Sequence, residues 1–343
     1  MKYTLEQLET MMVKARLFGK MDQLKTKCGH VMCLFENILD GVTILYIPDD
    51  VETVGEEEPL YDENVPYPTY CDIECKTLIV SGGRNLKDAY RMFFECKAQS
   101  IDLRYFDTSK VTDMSDMFRE CSAESLDLSN FDTSNVTDMS GMFDRCQANS
   151  LDLSSFDTSS VIHMYNMFSY CQAQSINLRS FDTSKVTDMC AMFAWCGAES
   201  LDLSSFDTSN VTDMQEMFSD CKARSLDLSS FDTSKVTDMK LMFYECEAES
   251  IDLSNFDTSN VTTMKEMFFC CETQSIDLSS FDTSKVKDMS YMFHCCQAEL
   301  IDLSSFDTSS VTNMREIFED CRAQVKATDT KILEELNRRR QSL

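Results

Sequence analysis

Glycine and proline are scarce in this chain, 8 and 4 residues in 343, which excludes a collagen-like fibre and a Gly/Pro-rich linker. Histidine is rarer, with three residues, and tryptophan occurs once. No phosphate-cradling glycine loop, nucleophile elbow or paired metal motif is present, so the residues point away from an enzyme. No apolar run is long enough to span a membrane. The opening MKYTLEQLET lacks the apolar stretch of a signal peptide. Positive charge is also in deficit: 31 basic residues face 59 acidic ones, a net charge of −28. Between residues 101 and 325 the count is 39 acidic against 15 basic, so 24 of the excess negative charges lie there. Such a surface repels nucleic acid and anionic membranes and attracts basic proteins or cations. The same charge keeps a long self-similar chain soluble.

Seventeen cysteines could indicate a secreted disulfide scaffold. Their number is odd, ten recur at one repeat position, and the opening residues do not read as an export signal. Free thiols in a reducing cytoplasm are therefore expected.

What the chain has in abundance is one sentence. LDLSSFDTSNVTDM (201–214) recurs with small changes in nine copies of 25 residues, starting at Ile101, Leu126, Leu151, Ile176, Leu201, Leu226, Ile251, Ile276 and Ile301. A worn copy spans 76–100 and keeps Met92, Phe93, Cys96 and Ala98 in register. The opening (I/L)-D-L-S-x-F alternates apolar and polar and predicts a short strand. DTS supplies turn residues. VTDMxxMFxxC spaces its apolar residues like one face of a short helix, with Thr as the expected N-cap. One copy cannot bury its own apolar face, so the copies must stack into a solenoid about 45 Å long with parallel strands ~4.8 Å apart.

The stretch CQANSLDLSSFDTSSVIHMYNMFSYC (146–171) and its siblings resemble the BspA-like leucine-rich-repeat family of bacterial surface proteins, over about 250 residues. A-x-S-L-D-L is similar to the L-x-x-L-x-L core of such repeats, and Phe131 and Phe156 fall near the position usually held by Asn. The resemblance implies an α/β solenoid, with a parallel β-sheet on the concave side and short helices on the convex side. It implies a binding surface rather than chemistry. Residues 76–325 are then the solenoid. Residues 1–75 form an N-terminal capping region: a helix over 3–27, a strand at 42–48 and an acidic loop at 54–70. Residues 326–343 form a C-terminal capping helix with Thr328 as its candidate cap.

Two surfaces are candidate partner sites. Asp occupies the second repeat position in eight of nine copies (Asp102, Asp127, Asp152, Asp202, Asp227, Asp252, Asp277 and Asp302, with Asn177 the exception) and should form an outward acidic column. The two positions before the repeat cysteine carry Tyr170, Trp195, Tyr244, Phe269 and His294, an aromatic stripe of the kind that anchors interfaces or extends a core. Cys28, Cys33, Cys71 and Cys75 could supply a tetrahedral zinc site, although neither pair has the usual C-x-x-C spacing and HVMCLF also reads as plain core. Cys270 and Cys295 precede the repeat cysteine in adjacent copies as potentially oxidisable neighbours.

The leading expectation is a non-catalytic cytosolic solenoid that engages a basic protein. Such partners are commonly nucleic-acid-binding proteins, so inhibition of one, as by a phage-type counter-defence factor, is one form of it. No cofactor and no direct nucleic-acid contact are expected. A surface adhesin and a structural spacer are the alternatives.

Overall fold

In the computed structural model, residues 4–17, 21–25, 31–39, 41–53 and 74–342 are described. Each 25-residue copy makes one rung of a parallel β-solenoid, and three lines of hydrogen bonds tie the rungs together.

The first line is the strand face. β4 (Thr77–Gly82), β5 (Ser100–Phe106) and β6 (Ser125–Asp127) pair in parallel, with Ile101 opposite Leu126 and Asp102 opposite Asp127. β7 (Ser150–Asp152) pairs with β8 (Ser175–Asn177) in the same register. β9 (Ser225–Leu226), β10 (Ser250–Ile251), β11 (Ser275–Ile276), β12 (Leu300–Leu303) and β13 (Gln324–Ala327) form a further parallel run on the same face, separated from β8 by the rung of Leu201, which has no strand. The I/L-D-L alternation explains the orientation: aliphatics such as Leu151 and Leu153 are buried while Asp152 faces solvent.

The second line is a chain of parallel bridges through the VTDM segment, from Asp88 by way of Asp113 and Asp138 to Asn313, ten rungs in all. The third is the threonine of DTS. Thr133 Oγ1 accepts the N–H of Asp157 at 2.8 Å and donates to its carbonyl at 2.8 Å, and the pattern recurs from rung to rung. The Asp of the same motif forms the expected turn, Asp207 accepting the N–H of Ser209 at 2.9 Å.

The helix expected over VTDMxxMFxxC does not form. Asp116 and Glu120 have φ of +54° and +56°, left-handed values that interrupt a right-handed helix, and their equivalents recur along the solenoid. The N–H groups of Met114, Asp116, Phe118 and Glu120 donate to carbonyls of the next rung at 2.7–3.0 Å. Met117, Arg119 and Cys121 instead donate three residues back. A helix would direct these donors four residues back; here the neighbouring rung satisfies half of them and tight turns the rest. Val111, Met114 and Met117 are three residues apart, a spacing that a short window does not separate from a helical period. Thr112, expected as an N-cap, donates its hydroxyl to the Lys87 carbonyl of the preceding rung at 3.2 Å.

The resulting core is columnar. Phe118, Phe143 and Phe168 stack at 5.6 and 5.8 Å with nearly parallel rings, and the Met, Cys and Ala columns are buried beside them.

Both ends of the solenoid are extended. α1 (Leu5–Leu17) is shorter than the helix read over 3–27 and gives way to β1 (Asp22–Lys25). β1, β2 (Val31–Leu39) and β3 (Val42–Ile47) pair antiparallel, and β3 then joins β4 in parallel. β3 matches the strand expected at 42–48; β2 was legible only as apolar. Alternate residues face opposite ways: Met32, Leu34, Leu45 and Ile47 join the main core, whereas Phe35, Val42 and Ile44 pack with Leu8 and Ala15 of α1. The acidic loop read at 54–70 lies outside the described residues. At the other end α2 (Thr330–Ser342) buries Ile332 on the last rungs. Its cap is Asp329 rather than Thr328: Asp329 Oδ1 accepts the N–H groups of Lys331 (2.9 Å) and Ile332 (3.2 Å). Thr328 bonds the Ser304 carbonyl instead. Among the described residues α1 and α2 are the only helices, and neither is long and apolar enough to cross a membrane.

Candidate partner-binding face

The strand face brings the acidic column together. Asp102, Asp127 and Asp302 are half-buried, and Asp152, Asp202, Asp227, Asp252 and Asp277 are exposed. The carboxylates are held by the serine two residues on: Ser229, Ser254 and Ser279 donate their N–H to Asp227, Asp252 and Asp277 at 3.1, 3.0 and 2.9 Å. The side-chain and backbone hydrogen bonds of Ser229, and the backbone and side-chain bonds of Ser254 and Ser279, keep these carboxyls below the ordinary Asp value. All three are therefore charged at neutral pH.

Sequence reading missed the countercharges. Asp102 pairs with Arg104, Asp202 with Arg179 at 3.1 Å, and Asp302 with Lys326 at 2.7 Å. The Lys326 and Ser304 hydrogen bonds hold Asp302 down to about 2. Asp152 accepts from Asn177 Nδ2 at 3.1 Å, the one copy without Asp thus facing a neighbour that has it. A signal was present: the fourth repeat position is Ser in most copies but Arg in IDLRYF and INLRSF.

Among the described residues no ion pair reaches Asp227, Asp252 or Asp277. These three, with Asp302, line a shallow open depression of about 770 Å³, floored by Leu226, Ile251 and Ile276. Strand rungs repeat at ~4.8 Å, so each free carboxylate has a like charge as its neighbour on either side. Among the described residues no cation sits between these three carboxylates, and a row of ammonium or guanidinium groups at strand spacing would offset their mutual repulsion.

The aromatics do not make one stripe. Tyr170 and Trp195, directly before their cysteines, stack at 4.8 Å with parallel rings, and the Arg145 guanidinium lies 4.2 Å from the Tyr170 ring centre. Tyr244, Phe269 and His294, two residues before theirs, form a second ladder at 4.8 and 4.6 Å. Ser219 and Asp220 separate the two in the intervening rung. All five rings are half-buried, and both ladders lie on the turn segments rather than on the strand face. Trp195 is held in a left-handed backbone conformation, φ +53°.

Cys33 and Cys75 do not come together. Cys33 is buried in the cluster beneath α1 and Cys75 packs against the main core, on the other side of the sheet; Cys28 and Cys71 lie outside the described residues. The repeat cysteines from Cys96 to Cys321 are buried, and burial raises the Cys146 and Cys196 thiols to about 11. Buried among the apolar columns, they fill the core as small packing groups.

No curated protein and no solved structure matches the chain. A family model does, in three overlapping segments, residues 87–198, 171–250 and 246–335. These segments together take in most of the chain and nearly the whole rung array, so the chain belongs to the family described as Mycoplasma protein of unknown function, DUF285.

Proposed function

We propose that this protein is a non-catalytic binding solenoid that engages a basic segment of another protein through Asp227, Asp252 and Asp277. The observation that carries the reading is the row of three in-register carboxylates that, among the described residues, have no cationic partner and lie in one depression of the strand face. Charges so placed speed the encounter with a basic partner and discriminate against acidic ones. The shallow, open form of the depression suits an extended polypeptide better than a small molecule, which generally occupies an enclosed and mostly apolar cavity.

The finer family assignment, BspA-like leucine-rich repeat, belongs to the same reading, since such repeats are taken to serve as binding surfaces. So does a cytosolic location, where the many unpaired thiols would persist. A nucleic-acid-binding protein is the basic partner class that fits, and occluding its cationic surface would make this chain an inhibitor.

The test is affinity capture from a cell lysate over a salt series, after nuclease digestion. A single basic protein retained at low salt and released as salt rises supports the reading. Retention that disappears with nuclease, or capture independent of salt, contradicts it.

A further inference from the structure

The turn segments of the last rungs bring together a set of side chains that no other part of the described chain assembles. Cys270 and Cys295 occupy the same position in adjacent rungs, both with left-handed backbones (φ +48° and +54°), and Asp320 follows them in the next. The Cys270 thiol is within hydrogen-bonding reach of Cys295. One ring nitrogen of His294, the Cys295 sulfur and an Asp320 oxygen lie within 4.8 Å of one another. The Cys270 N–H donates to the His294 carbonyl at 2.8 Å, so the backbone sets this spacing.

The histidine supplies an independent pointer. Its ring is locked by stacking on Phe269 at 4.6 Å and by the edge of Tyr291 at 5.9 Å. Yet its Nδ1 is buried without a hydrogen-bond partner. A buried imidazole nitrogen left unpaired is costly, and an ordered water or a bound ion is what satisfies such a group. The surroundings are acidic: Glu245 and Asp320 both bear on Cys270, and Glu316 and Glu319 approach the same imidazole. Glu316 is paired with Arg315 at 2.8 Å, which leaves the thiols and Asp320 as the better donors.

We infer that His294, Cys295, Cys270 and Asp320 form a binding site for a zinc-type divalent cation. One nitrogen, two sulfurs and one oxygen make a donor set suited to tetrahedral Zn²⁺, for which bond lengths of ~2.0–2.3 Å place ligand atoms roughly 3.3–3.8 Å apart. His294, Cys295 and Asp320 are already clustered within 4.8 Å, and Cys270, one rung earlier beside Cys295, completes the set by turning toward them. Binding displaces a proton from each cysteine thiol to solvent, and the cation then balances the thiolates and the carboxylate. Because the ligands come from three successive rungs, the ion would staple the C-terminal end of the solenoid.

The experiment uses the full chain, reduced with a phosphine and freed of metal, titrated with Co²⁺ alone as the spectroscopic probe and then with Zn²⁺. One equivalent of Co²⁺ should give thiolate charge-transfer and tetrahedral d–d absorption that Zn²⁺ abolishes. Cys270→Ser/Cys295→Ser and, separately, His294→Ala should weaken binding by more than roughly ten-fold, whereas Cys33→Ser/Cys75→Ser should leave it unchanged. On the unsubstituted chain Zn²⁺ should protect Cys270 and Cys295 from alkylation, read by mass spectrometry, which keeps the test sound if a variant misfolds. Absent saturable binding, signals lost only in Cys33→Ser/Cys75→Ser, or unaltered alkylation of Cys270 and Cys295 would overturn the assignment.

Discussion

The Thr208 hydroxyl holds both backbone groups of Asp232, one rung further along: it accepts the Asp232 N–H at 2.8 Å and donates to the Asp232 carbonyl at 2.9 Å. Thr208 is fully buried, so an apolar side chain in its place would meet both backbone groups without a polar atom. Replacing it with valine keeps the shape and removes both bonds. Thr208→Val should cost about 1–3 kcal/mol per backbone group left unpaired, read as a lowered thermal midpoint, while Thr208→Ser should retain most of the stability. An unchanged midpoint in Thr208→Val would mean that the threonine column fills space and no more.

The left-handed residues invite a second test. Ala191 has φ +52°, and Ala194 in the same rung is not among the left-handed residues; both side chains are buried methyls. Glycine removes the left-handed penalty at the first position but only adds chain entropy and a void at the second. Ala191→Gly should therefore be neutral or stabilising by up to about 1 kcal/mol, and Ala194→Gly destabilising by about 1 kcal/mol or more. Gly141 already occupies the position equivalent to Ala191, with φ +60°. Equal destabilisation by both substitutions would contradict the turn geometry.

Asp144 carries a pH signature. Burial raises its carboxyl to about 6, against the pull of Arg119 at 3.1 Å and of Arg145. Between the ordinary carboxyl value and about 6 the folded chain keeps a proton that the unfolded chain has released. Stability from this group is thus greatest at the acid end and falls as pH rises through about 6. Asp144→Asn should flatten that part of a plot of thermal midpoint against pH relative to the unsubstituted chain. Parallel curves for the two proteins would show that Asp144 is not the source.

Much of the molecule could be read from the residues because every rung repeats the same choice. Leu151 inward and Asp152 outward followed from alternation, and the Phe and Cys columns followed from the 25-residue period. The turn segment did not follow, because Val111, Met114 and Met117 are spaced almost as a helix would space them. What decides between helix and turn is a donor in one rung meeting an acceptor in the next, such as Phe118 N–H on the Met142 carbonyl at 2.9 Å. That bond has no local signature. Thr208 likewise read as a turn residue, since its partner lies 24 residues away. The acidic column was legible, but its division into paired and unpaired members depends on Arg179 and Lys326 reaching across rungs to Asp202 and Asp302. The aromatic ladders differ by one position, Trp195 beside its cysteine and Phe269 one residue earlier, a distinction that matters only once the left-handed turn sends neighbouring side chains in different directions.

The acidic row is tested most directly by comparing the unsubstituted chain with Asp227→Asn/Asp252→Asn/Asp277→Asn in the same capture at matched salt. Asparagine keeps the size of each side chain and removes three negative charges. If the row is the contact, the triple variant keeps the fold by circular dichroism, loses most of the captured basic protein and shows a shallower dependence of retention on salt. Equal capture by both proteins, with the same salt dependence, would contradict the proposal and move the contact off the strand face.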